Sequence, residues 1–403
     1  MSPSPTAPLA GLRVLDFSRV LAGPFCTMQL ADMGAEIIKI ENPDGGDDTR
    51  HFKPPSAGGE AHYFLAVNRN KKSVALDIRT PEAKEVIHRL AARCDVLIQN
   101  YRVGVMARLG LDYDSMKERH PHLIYCSISA YGQTGPWKDR PGFDPVLQAE
   151  SGMMSYTGEP KGPPLRHPLA IIDTFTALYA TSAILAAYVA RQRTGHGQHL
   201  DIALLDTAMA VQTNAAQSYL VSGENPIKMG NSHPAAVPVG LFETRTGPFY
   251  MAVGTQRLFA RLCEKVLDRP DILADPRFAT NPARQENRGA LFALLNEIFA
   301  VETREYWLAR TIEAGVPAGA VRSLSEAVEA PEIAARAMVR TVQHPTAGSL
   351  RLLGSPLNFS DTPLVDPAAP PLLGQHTEEV LSGFLGMDAA EIAALRESGT
   401  IPR

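Results

Sequence analysis

The sequence predicts an α/β protein with a large, doubly wound domain and a smaller α+β domain. Short apolar runs alternate with helical patterns in the first half of the chain, and the texture of the sequence changes near residue 223. The 403 residues correspond to roughly two or three domains of ordinary size. Strands that alternate with helices form parallel sheets covered on both faces, and such sheets bind ligands beyond the carboxyl ends of their strands.

The large domain is predicted over residues 1–222 and begins with a buried strand, Leu12–Phe17. A helix follows that opens at Gly23-Pro24 and ends at Gly34, because proline marks helix starts and glycine marks helix ends. The later elements are a strand over Glu36–Glu41, a strand over Ser73–Ile78, a helix capped by Thr80-Pro81 and ending at Arg93, and strands over Asp95–Tyr101 and Leu123–Ser129. Together they predict a mostly parallel sheet.

The small domain is predicted over residues 223–330 and opens with a Pro-, Gly- and Asn-rich passage, Asn225–Gly240. Its predicted elements are a hairpin-like pair, Gly240–Thr244 and Phe249–Val253, and helices around Arg257–Leu267 and Arg288–Phe299. Residues 331–403 are predicted to be a linker with helices near Thr377–Leu385 and Ala389–Ser398 that return to the large domain.

Composition argues against several classes of function. The 39 basic and 43 acidic residues give a net charge of −4, which does not favour a nucleic-acid partner. The apolar run Ala177–Ala190 is shorter than the ~20 residues that span a bilayer, so no membrane partner is expected. Residues 1–9 show no targeting pattern. The four cysteines lie far apart without metal spacing, which predicts a reducing, cytoplasmic location.

The common cofactor and catalytic motifs are absent from the sequence. It contains no GxGxxG after the first strand, no GxxxxGK[ST] and no GxSxG. The paired histidines, His120/His122 and His196/His199, lack the helical spacing of a zinc motif and are interpreted as surface loop residues. We therefore expect no metal and no tightly bound cofactor.

Asp173 is the most suggestive candidate for chemistry, because it precedes an apolar helical run that ends near Ala190. One interpretation makes it the N-cap of that helix, since carboxylates accept backbone N–H bonds at the positive end of the helix dipole. The other makes it a nucleophile that the helix end keeps ionised near neutral pH, with helix N–H groups stabilising charge on an attacked carbonyl. The two roles are compatible.

Basic and aromatic residues cluster around two predicted strands. They are Asn68–Lys72 with Arg79, and Asn100–Arg102 with Arg108. Guanidinium and ammonium groups pair with phosphates, and an aromatic ring stacks on a purine, so the cluster suits a nucleotide with several phosphates. A solvated charged edge is the alternative interpretation.

Several segments resemble the class III coenzyme A transferases, the formyl-CoA and carnitine CoA-transferase family, in order along nearly the whole chain. They are Pro8–Asp16, Ala22–Pro24, Gly34–Glu41, Asn68–Lys72, Asn100-Tyr101, Ala130–Pro136, Thr194–Gln198 and Pro371–Thr377. The resemblance implies a Rossmann-like large domain, a smaller domain joined by long linkers, and an interlocked homodimer. CoA and acyl-CoA are then substrates rather than bound cofactors.

The resemblance also implies a mechanism and a set of site residues. By position Asp173 is the nucleophile, which passes through an aspartyl anhydride and an aspartyl-CoA thioester. The implied CoA-binding residues are Val20, Ala22, Arg69, Lys72, Leu76, Arg79, Asn100, Tyr101, Arg108 and Arg140. The implied substrate-binding residues are Leu21, Arg166, Gly230, Asn231 and His233.

The choice of reaction rests on departures within the family. Phe143 stands where the α-methylacyl-CoA racemases of this fold carry a histidine base, so racemisation is disfavoured. Leu21 replaces the glutamine of formyl-CoA transferase, and a Met229–Pro234 segment replaces its glycine-rich lid, which disfavours formyl-CoA:oxalate transfer. The sequence looks most like the succinyl-CoA:glutarate type of dicarboxylate transferase, and a CoA-binding homologue without turnover is the remaining alternative.

Arg166 offers a physical reason for a dicarboxylate substrate. A guanidinium can bind the distal carboxylate of a C4 or C5 diacid in bidentate fashion, with His233 as a candidate helper. The alternative is that Arg166 pairs with a nearby acid.

Overall fold

The computed structural model describes residues 6–402, which form two compact units. The first unit comprises the described parts of Met1–Met153, His167–Val221 and Glu332–Arg403. The second comprises Met154–Arg166 and Ser222–Pro331. The sequence analysis assigned residues 154–166 to the large domain, whereas the structure packs them with the second unit.

A six-stranded sheet forms the centre of the first unit, and every strand pairing in it is parallel. In chain order its strands are β1 (Arg13–Asp16), β2 (Glu36–Glu41), β5 (Lys71–Ala75), β6 (Val96–Gln99), β7 (Ile124–Ser129) and β8 (His199–Ala203). Their spatial order is β5-β2-β1-β6-β7-β8. Counted within this sheet the order is 3-2-1-4-5-6, which is that of the Rossmann fold.

Alternate residues of the strands enter two different cores, because successive side chains point to opposite faces. In β1, Val14 packs in one core and Leu15 in the other, and the same alternation relates Ile98 and Leu97 in β6. One core contains α1 (Ala22–Asp32), α7 (Ile171–Thr194) and α8 (Leu204–Ala210). The other contains α3 (Pro81–Ala91) and the C-terminal α17 (Ala389–Glu397). Both faces are therefore covered, as the doubly wound prediction requires.

The longest described helix, α7, is long and apolar enough to cross a membrane by length and composition alone. It is longer than the apolar run on which the sequence analysis relied. In the structure α7 packs along α1 and against β7 and β8. Its buried residues include Ile172, Ala180 and Ile184, so α7 is a core helix of this unit.

The remaining elements of the first unit are short and lie between or after the sheet strands. They are a 3-10 turn Asp48–His51, β3 (Ser56–Ala57), β4 (Glu60–Ala61), α2 (His62–Val67), α4 (Val105–Leu109), α5 (Tyr113–Arg119), α6 (Asp144–Glu150), α9 (Thr213–Ser222), α16 (Pro331–Ala335), β12 (Val339–His344), β13 (Gly348–Leu353) and a π-helical segment Glu379–Phe384. A 3-10 turn, Met153–Ser155, lies where the chain passes to the second unit.

The second unit combines a three-stranded antiparallel sheet with helices. Its strands are β9 (Val239–Phe242), β10 (Phe249–Ala252) and β11 (Ala318–Ala320), in the order β11-β10-β9. Its helices are α10 (Gln256–Arg261) with a π-helical continuation Leu262–Val266, α11 (Pro270–Ala274), α12 (Asn281–Glu286), α13 (Arg288–Phe299), α14 (Arg304–Ala314) and α15 (Leu324–Val328). A core of phenylalanines, Phe242, Phe249, Phe259 and Phe299 among them, holds sheet and helices together.

Candidate active site

The first cavity lies beyond the carboxyl ends of β1, β6 and β7 and has a volume of about 470 Å³. Its lining residues are Arg19–Ala22, Asp48, Phe52, Asn100–Val103, Ile128–Ala130, Lys138–Phe143, Asp173 and Leu204. Strands β1 and β6 are neighbours from which the chain proceeds to opposite sides of the sheet. That is the topological switch point, where open α/β sheets bind their ligands.

Asp173 enters this cavity from the first turn of α7. It is not the N-cap of the helix, because Ala170 occupies that position and makes no side-chain cap. The cap comes from Asp144, whose Oδ2 accepts hydrogen bonds from the backbone N–H groups of Ile172 at 2.7 Å and Asp173 at 3.1 Å. The capping aspartate is therefore Asp144 and not Asp173, and the carboxylate of Asp173 takes no part in capping the helix.

No described residue donates a hydrogen bond to the carboxylate of Asp173, which is half-buried in the cavity wall. Burial, and then the negative charge of Asp144, raises the pKa of Asp173 to about 7. Near neutral pH the carboxylate of Asp173 is therefore divided between its protonated and ionised forms, whereas the sequence analysis expected the helix end to keep it ionised. A carboxylate without partners and with a raised pKa is typical of functional sites.

Tyr63 on α2 lies near enough to both aspartates for their charges to act on it. Burial, followed by the charges of Asp173 and Asp144, raises the pKa of Tyr63. The phenol therefore stays protonated at neutral pH and is a hydrogen-bond donor in the neighbourhood of Asp173.

The turn between β1 and α1 supplies Val20 and Leu21 to the first cavity, and the first residue of α1 supplies Ala22. The resemblance assigns Asn100 to CoA binding. Both the oxygen and the nitrogen of its side-chain amide form hydrogen bonds with this turn. Its Oδ1 accepts from the backbone N–H of Arg19 at 2.8 Å, and its Nδ2 donates to the carbonyl of Arg19 at 2.7 Å. Asn100 therefore holds the turn that faces the cavity.

A second cavity of about 440 Å³ adjoins the first through their shared lining residues Arg19, Asp48 and Tyr101. Leu76 and Arg79 line this second cavity after strand β5. Arg79 is largely exposed and forms an ion pair with Asp77 at 2.7 Å.

Two predicted CoA-binding side chains already have partners in the cleft. The guanidinium of Arg19 lies 4.8 Å from the ring centroid of Tyr101, so one face of this ring is covered. Arg140 lines the first cavity and donates to Glu150 at 2.6 Å. Arg108, exposed on α4, lines neither of the two cavities.

Two of the predicted CoA-binding residues serve other parts of the structure. The buried guanidinium of Arg69 pairs with Asp32 and donates to the carbonyl of Leu353 at 2.8 Å. Lys72 pairs with Glu36 and Glu379. Neither basic residue lines the first or second cavity, because both side chains are directed to acids elsewhere on the first unit. The two cavities give their assignment to CoA binding no support, and it stays a prediction from the resemblance.

Four of the predicted substrate-binding residues, Arg166, Gly230, Asn231 and His233, belong to the second unit, and the fifth, Leu21, lines the first cavity. Residues 158 and 230 are joined by a backbone hydrogen bond of 3.0 Å from Gly230 to Gly158. The carbonyl of Asn231 accepts from Tyr250 at 3.0 Å, and His233 Nδ1 accepts from two backbone N–H groups at 3.1 Å. The segment ending at Arg166 is thus packed with the loop that carries the other three.

No group of three or more metal-ligating side chains occurs within residues 6–402.

Sequence reasoning missed Asp144 as the cap and Tyr63 as a neighbour of Asp173. The Phe-Asp-Pro triplet at 143–145 carried a usable signal for Asp144, since aspartate before proline is typical of a helix start. That signal pointed to α6, on which Asp144 stands. It did not reveal that the carboxylate reaches the next long helix. No local signal marks Tyr63.

Residues 9–377 match the family described as CoA-transferase family III. Human succinyl-CoA:glutarate CoA-transferase is 40% identical over 394 residues, which cover 98% of this chain and 90% of that protein. Succinate–glutarate CoA-transferase of Agrobacterium fabrum is 41% identical over 391 residues, covering 94% and 96%. A crystal structure of a CAIB/BAIF family protein from Brucella suis matches with a TM-score of 0.85 and 40% identity, over 94% of this chain and 99% of that one.

Proposed function

Because this chain belongs to CoA-transferase family III and is a CoA-transferase, we propose that it moves CoA from succinyl-CoA to glutarate by covalent catalysis at Asp173. The observation that carries the chemistry is the carboxylate of Asp173, which lies in the wall of the first cavity and accepts no hydrogen bond from any residue of 6–402. Relatives named for succinyl-CoA and glutarate, at 40% and 41% identity, support the two substrates.

The ionised carboxylate of Asp173 attacks the thioester carbonyl carbon of succinyl-CoA. The C–S bond breaks, CoA leaves as its thiolate, and a mixed aspartyl–succinyl anhydride forms. The thiolate then attacks the aspartyl carbonyl, releasing succinate and leaving an aspartyl-CoA thioester. Each step exchanges one activated carboxyl for another, so no external acid or oxidant is consumed.

Glutarate completes the reaction by the same steps in reverse. Its carboxylate attacks the aspartyl-CoA thioester, and CoA leaves as thiolate to give an aspartyl–glutaryl anhydride. The thiolate then attacks the glutaryl carbonyl, which releases glutaryl-CoA and the carboxylate of Asp173. The nucleophile returns to its starting charge at the end of the cycle.

Only the ionised form of Asp173 is a nucleophile. With its pKa raised to about 7 by burial and by Asp144, deprotonation requires little free energy at neutral pH. The N–H end of α7, capped by Asp144, fixes the turn that carries Asp173.

The two adjoining cavities suit the two ends of an acyl-CoA. We assign the second cavity, which Leu76 and Arg79 line, to the nucleotide end. The guanidinium of Arg79 pairs with Asp77 but is 72% exposed, so it can also pair with a phosphate. The first cavity, with Asp173, receives the pantetheine and acyl end. Volumes of about 440 and 470 Å³ lie in the range of small-molecule sites.

For the acceptor we keep Arg166 as the residue that binds the distal carboxylate of the diacid, with His233 of the same unit as a candidate helper. Both lie on segments that are hydrogen-bonded within that unit through Gly158 and Gly230. A bidentate guanidinium–carboxylate pair selects a dicarboxylate over a monocarboxylate of similar length.

We also propose that the protein acts as a homodimer in the cytoplasm. On the first unit, α7 and α9 expose large apolar side chains to the surroundings: Leu178, Tyr179, Val189, Tyr219, Leu220 and Val221. The side chains of the adjacent residues Leu220 and Val221 are 73% and 78% exposed. Contiguous exposed apolar surface of this kind is typical of a protein–protein interface. A second copy of the chain is the occupant that the family resemblance supports. The four cysteines are free and buried, which suits a reducing compartment.

Racemisation is not favoured by the first cavity. No histidine is found among its described lining residues, and at position 143 it presents Phe143, which is 65% exposed and cannot exchange a proton.

The proposed reaction is tested by incubating the protein with succinyl-CoA and glutarate and separating the CoA esters by chromatography. Glutaryl-CoA should form at the expense of succinyl-CoA, and Arg166→Ala should raise KM for glutarate more than KM for a monocarboxylate acceptor. Oxalate and a 2-methylacyl-CoA serve as alternative substrates. Thioester formation on oxalate alone, or epimerisation of the methylacyl group, would contradict the proposal.

A further inference from the structure

Val20 has a backbone conformation that its side chain disfavours. Its φ is +67°, in the left-handed region, where a β-branched residue is a genuine outlier. Val20 lies in the turn between β1 and α1 and lines the same cavity as Asp173. Strain of this kind persists only where the surrounding structure holds the residue in place, so the groups that hold Val20 are informative.

A buried ion pair holds this turn. Oδ1 of Asp47 accepts a hydrogen bond from the backbone N–H of Val20 at 3.2 Å, together with two from Thr49. Oδ2 of Asp47 accepts from Nζ of Lys39 at 2.9 Å, and neither side chain is exposed. Lys39 also donates to the carbonyl of Ser18 at 2.7 Å. The pair therefore fixes the turn at both Ser18 and Val20.

The acidic surroundings keep both members of the pair charged. Asp47, Asp16 and Glu41 together overcome the effect of burial and raise the pKa of Lys39 to about 12. Lys39 and the hydrogen bonds from Thr49 hold the pKa of Asp47 well below its usual range. Lys39 and Asp47 are therefore both charged near neutral pH, where the ion pair fixes Val20.

We infer that Asp47, oriented by Lys39, is a positioning residue for the acyl-transfer site, which holds Val20 in the left-handed conformation and so sets the cavity wall formed by Val20, Leu21 and Ala22. The inference rests on the proposed function, because it takes the first cavity as the place of acyl transfer. Asp47 and Lys39 border the second cavity, but neither side chain is exposed there, and both carboxylate oxygens of Asp47 already accept hydrogen bonds from Val20, Thr49 and Lys39. Asp47 therefore acts through the turn, and the recovery by Val20→Gly described below separates this role from a direct contact with CoA.

The test first removes the ion pair that fixes Val20 and then replaces Val20 with glycine, which adopts a positive φ without support. Lys39→Met with Asp47→Ala takes out both charges, so that neither remains buried alone. Val20 should then relax, and kcat/KM for succinyl-CoA should fall roughly tenfold or more because the cavity wall is displaced. Adding Val20→Gly should recover at least roughly threefold of this loss, since glycine adopts positive φ at no steric cost.

Arg191→Met provides the matched control, because it breaks the 2.5 Å ion pair with Asp95 beyond the opposite, amino end of β6. Adding Val20→Gly to that variant, or to the wild type, should give no gain in kcat/KM. If the double variant does not fold, Asp47→Asn is compared with and without Val20→Gly, and the same recovery is expected. Circular dichroism and Tm monitor folding throughout.

Absence of recovery by glycine in a folded variant, or an equal gain in the control, would overturn the inference. A wild type that transfers no CoA would instead contradict the proposed function. In that event the same variants are compared by calorimetric Kd for CoA, with weakening in the double variant and recovery by Val20→Gly as the expected result.

Discussion

Asp144 accepts two hydrogen bonds from the first turn of α7, and one of the two donors is the backbone N–H of Asp173. The same residue that anchors Asp173, the proposed nucleophile, therefore also raises the pKa of Asp173 through its negative charge. Asp144 therefore sets both the position of Asp173 and the pKa of its carboxyl. A substitution of Asp144 should change these two properties together.

Asp144→Asn should shift the pH dependence of catalysis to lower pH. The amide retains an oxygen acceptor for the helix N–H groups but removes the charge that helps to hold the pKa of Asp173 at about 7. Ionised Asp173 is then available at lower pH. We expect the acidic midpoint in the pH profile of kcat/KM for succinyl-CoA to move to lower pH.

The control is Asp139→Asn, at another acid that lines the first cavity, which should leave this midpoint in place. An unshifted profile in Asp144→Asn would show that the charge of Asp144 does not raise the pKa of Asp173.

Asp173→Asn should stabilise the protein at alkaline pH. The pKa of Asp173 is raised from 3.8 to about 7, so the native state binds more protons than the unfolded state between these values, and stability falls as pH rises through that window. Asparagine avoids this cost. The free energy of unfolding should increase by on the order of 2 kcal/mol at pH 8 and change little at pH 4. Denaturant titrations at the two pH values measure it, and equal effects at both would contradict the account.

The contact between half-buried His88 and buried His120 should make the first unit sensitive to acid. Nδ1 of His88 and Nε2 of His120 are 3.1 Å apart, and burial together with the neighbouring histidines lowers the pKa of His120 from 6.5 to about 4. The unfolded state then binds more protons between pH 6.5 and 4, so stability falls as the pH is lowered through this window.

Wild-type protein should lose on the order of 2 kcal/mol of unfolding free energy across this window from His120 alone. His120→Asn should flatten the dependence, and the exposed His196→Asn should not. Parallel slopes for His120→Asn and wild type in urea titrations would count against this role.

Charge placed on the exposed face of α9 should prevent self-association. Leu220 and Val221 are among the most exposed large apolar residues of the first unit. Replacing both with aspartate buries two charges in any interface that covers them, which is strongly unfavourable. Sedimentation velocity should show a dimer for the wild type and a monomer for the double variant. Val301→Asp, at an exposed site of the second unit, is the control; a monomeric wild type would contradict the proposed dimer.

The predicted fold was accurate where a strand or a helix has its own apolar pattern. Glu36–Glu41 was predicted with the bounds that the structure has, and Arg288–Phe299 likewise. Strand β8, His199–Ala203, was missed because it is short and mostly half-buried, with a polar aspartate in its centre. Its place is determined by pairing with β7, a non-local interaction that periodicity does not report.

The candidate site could be predicted only in part, for a related reason. Asp173 stands out locally because it begins a long apolar helix, whereas Asp144 and Asp47 act on backbone groups 28 and 27 residues away along the chain. In the sequence, Arg69, Lys72 and Arg79 are equally good candidates for binding phosphate. Of these three residues, only Arg79 lines the second cavity, whereas Arg69 and Lys72 pair with acids elsewhere. Tertiary partners, which spacing does not encode, separate these cases.

The most direct test of covalent catalysis at Asp173 is an intact mass spectrum of the protein after incubation with succinyl-CoA. The wild type should gain a CoA-containing mass that hydroxylamine removes, and peptide mapping should place the resulting hydroxamate on Asp173. Asp173→Ala should remain unmodified at the same acyl-CoA concentration. An adduct that persists in Asp173→Ala, or a wild type that transfers CoA at full rate without a hydroxylamine-sensitive intermediate, would contradict the account.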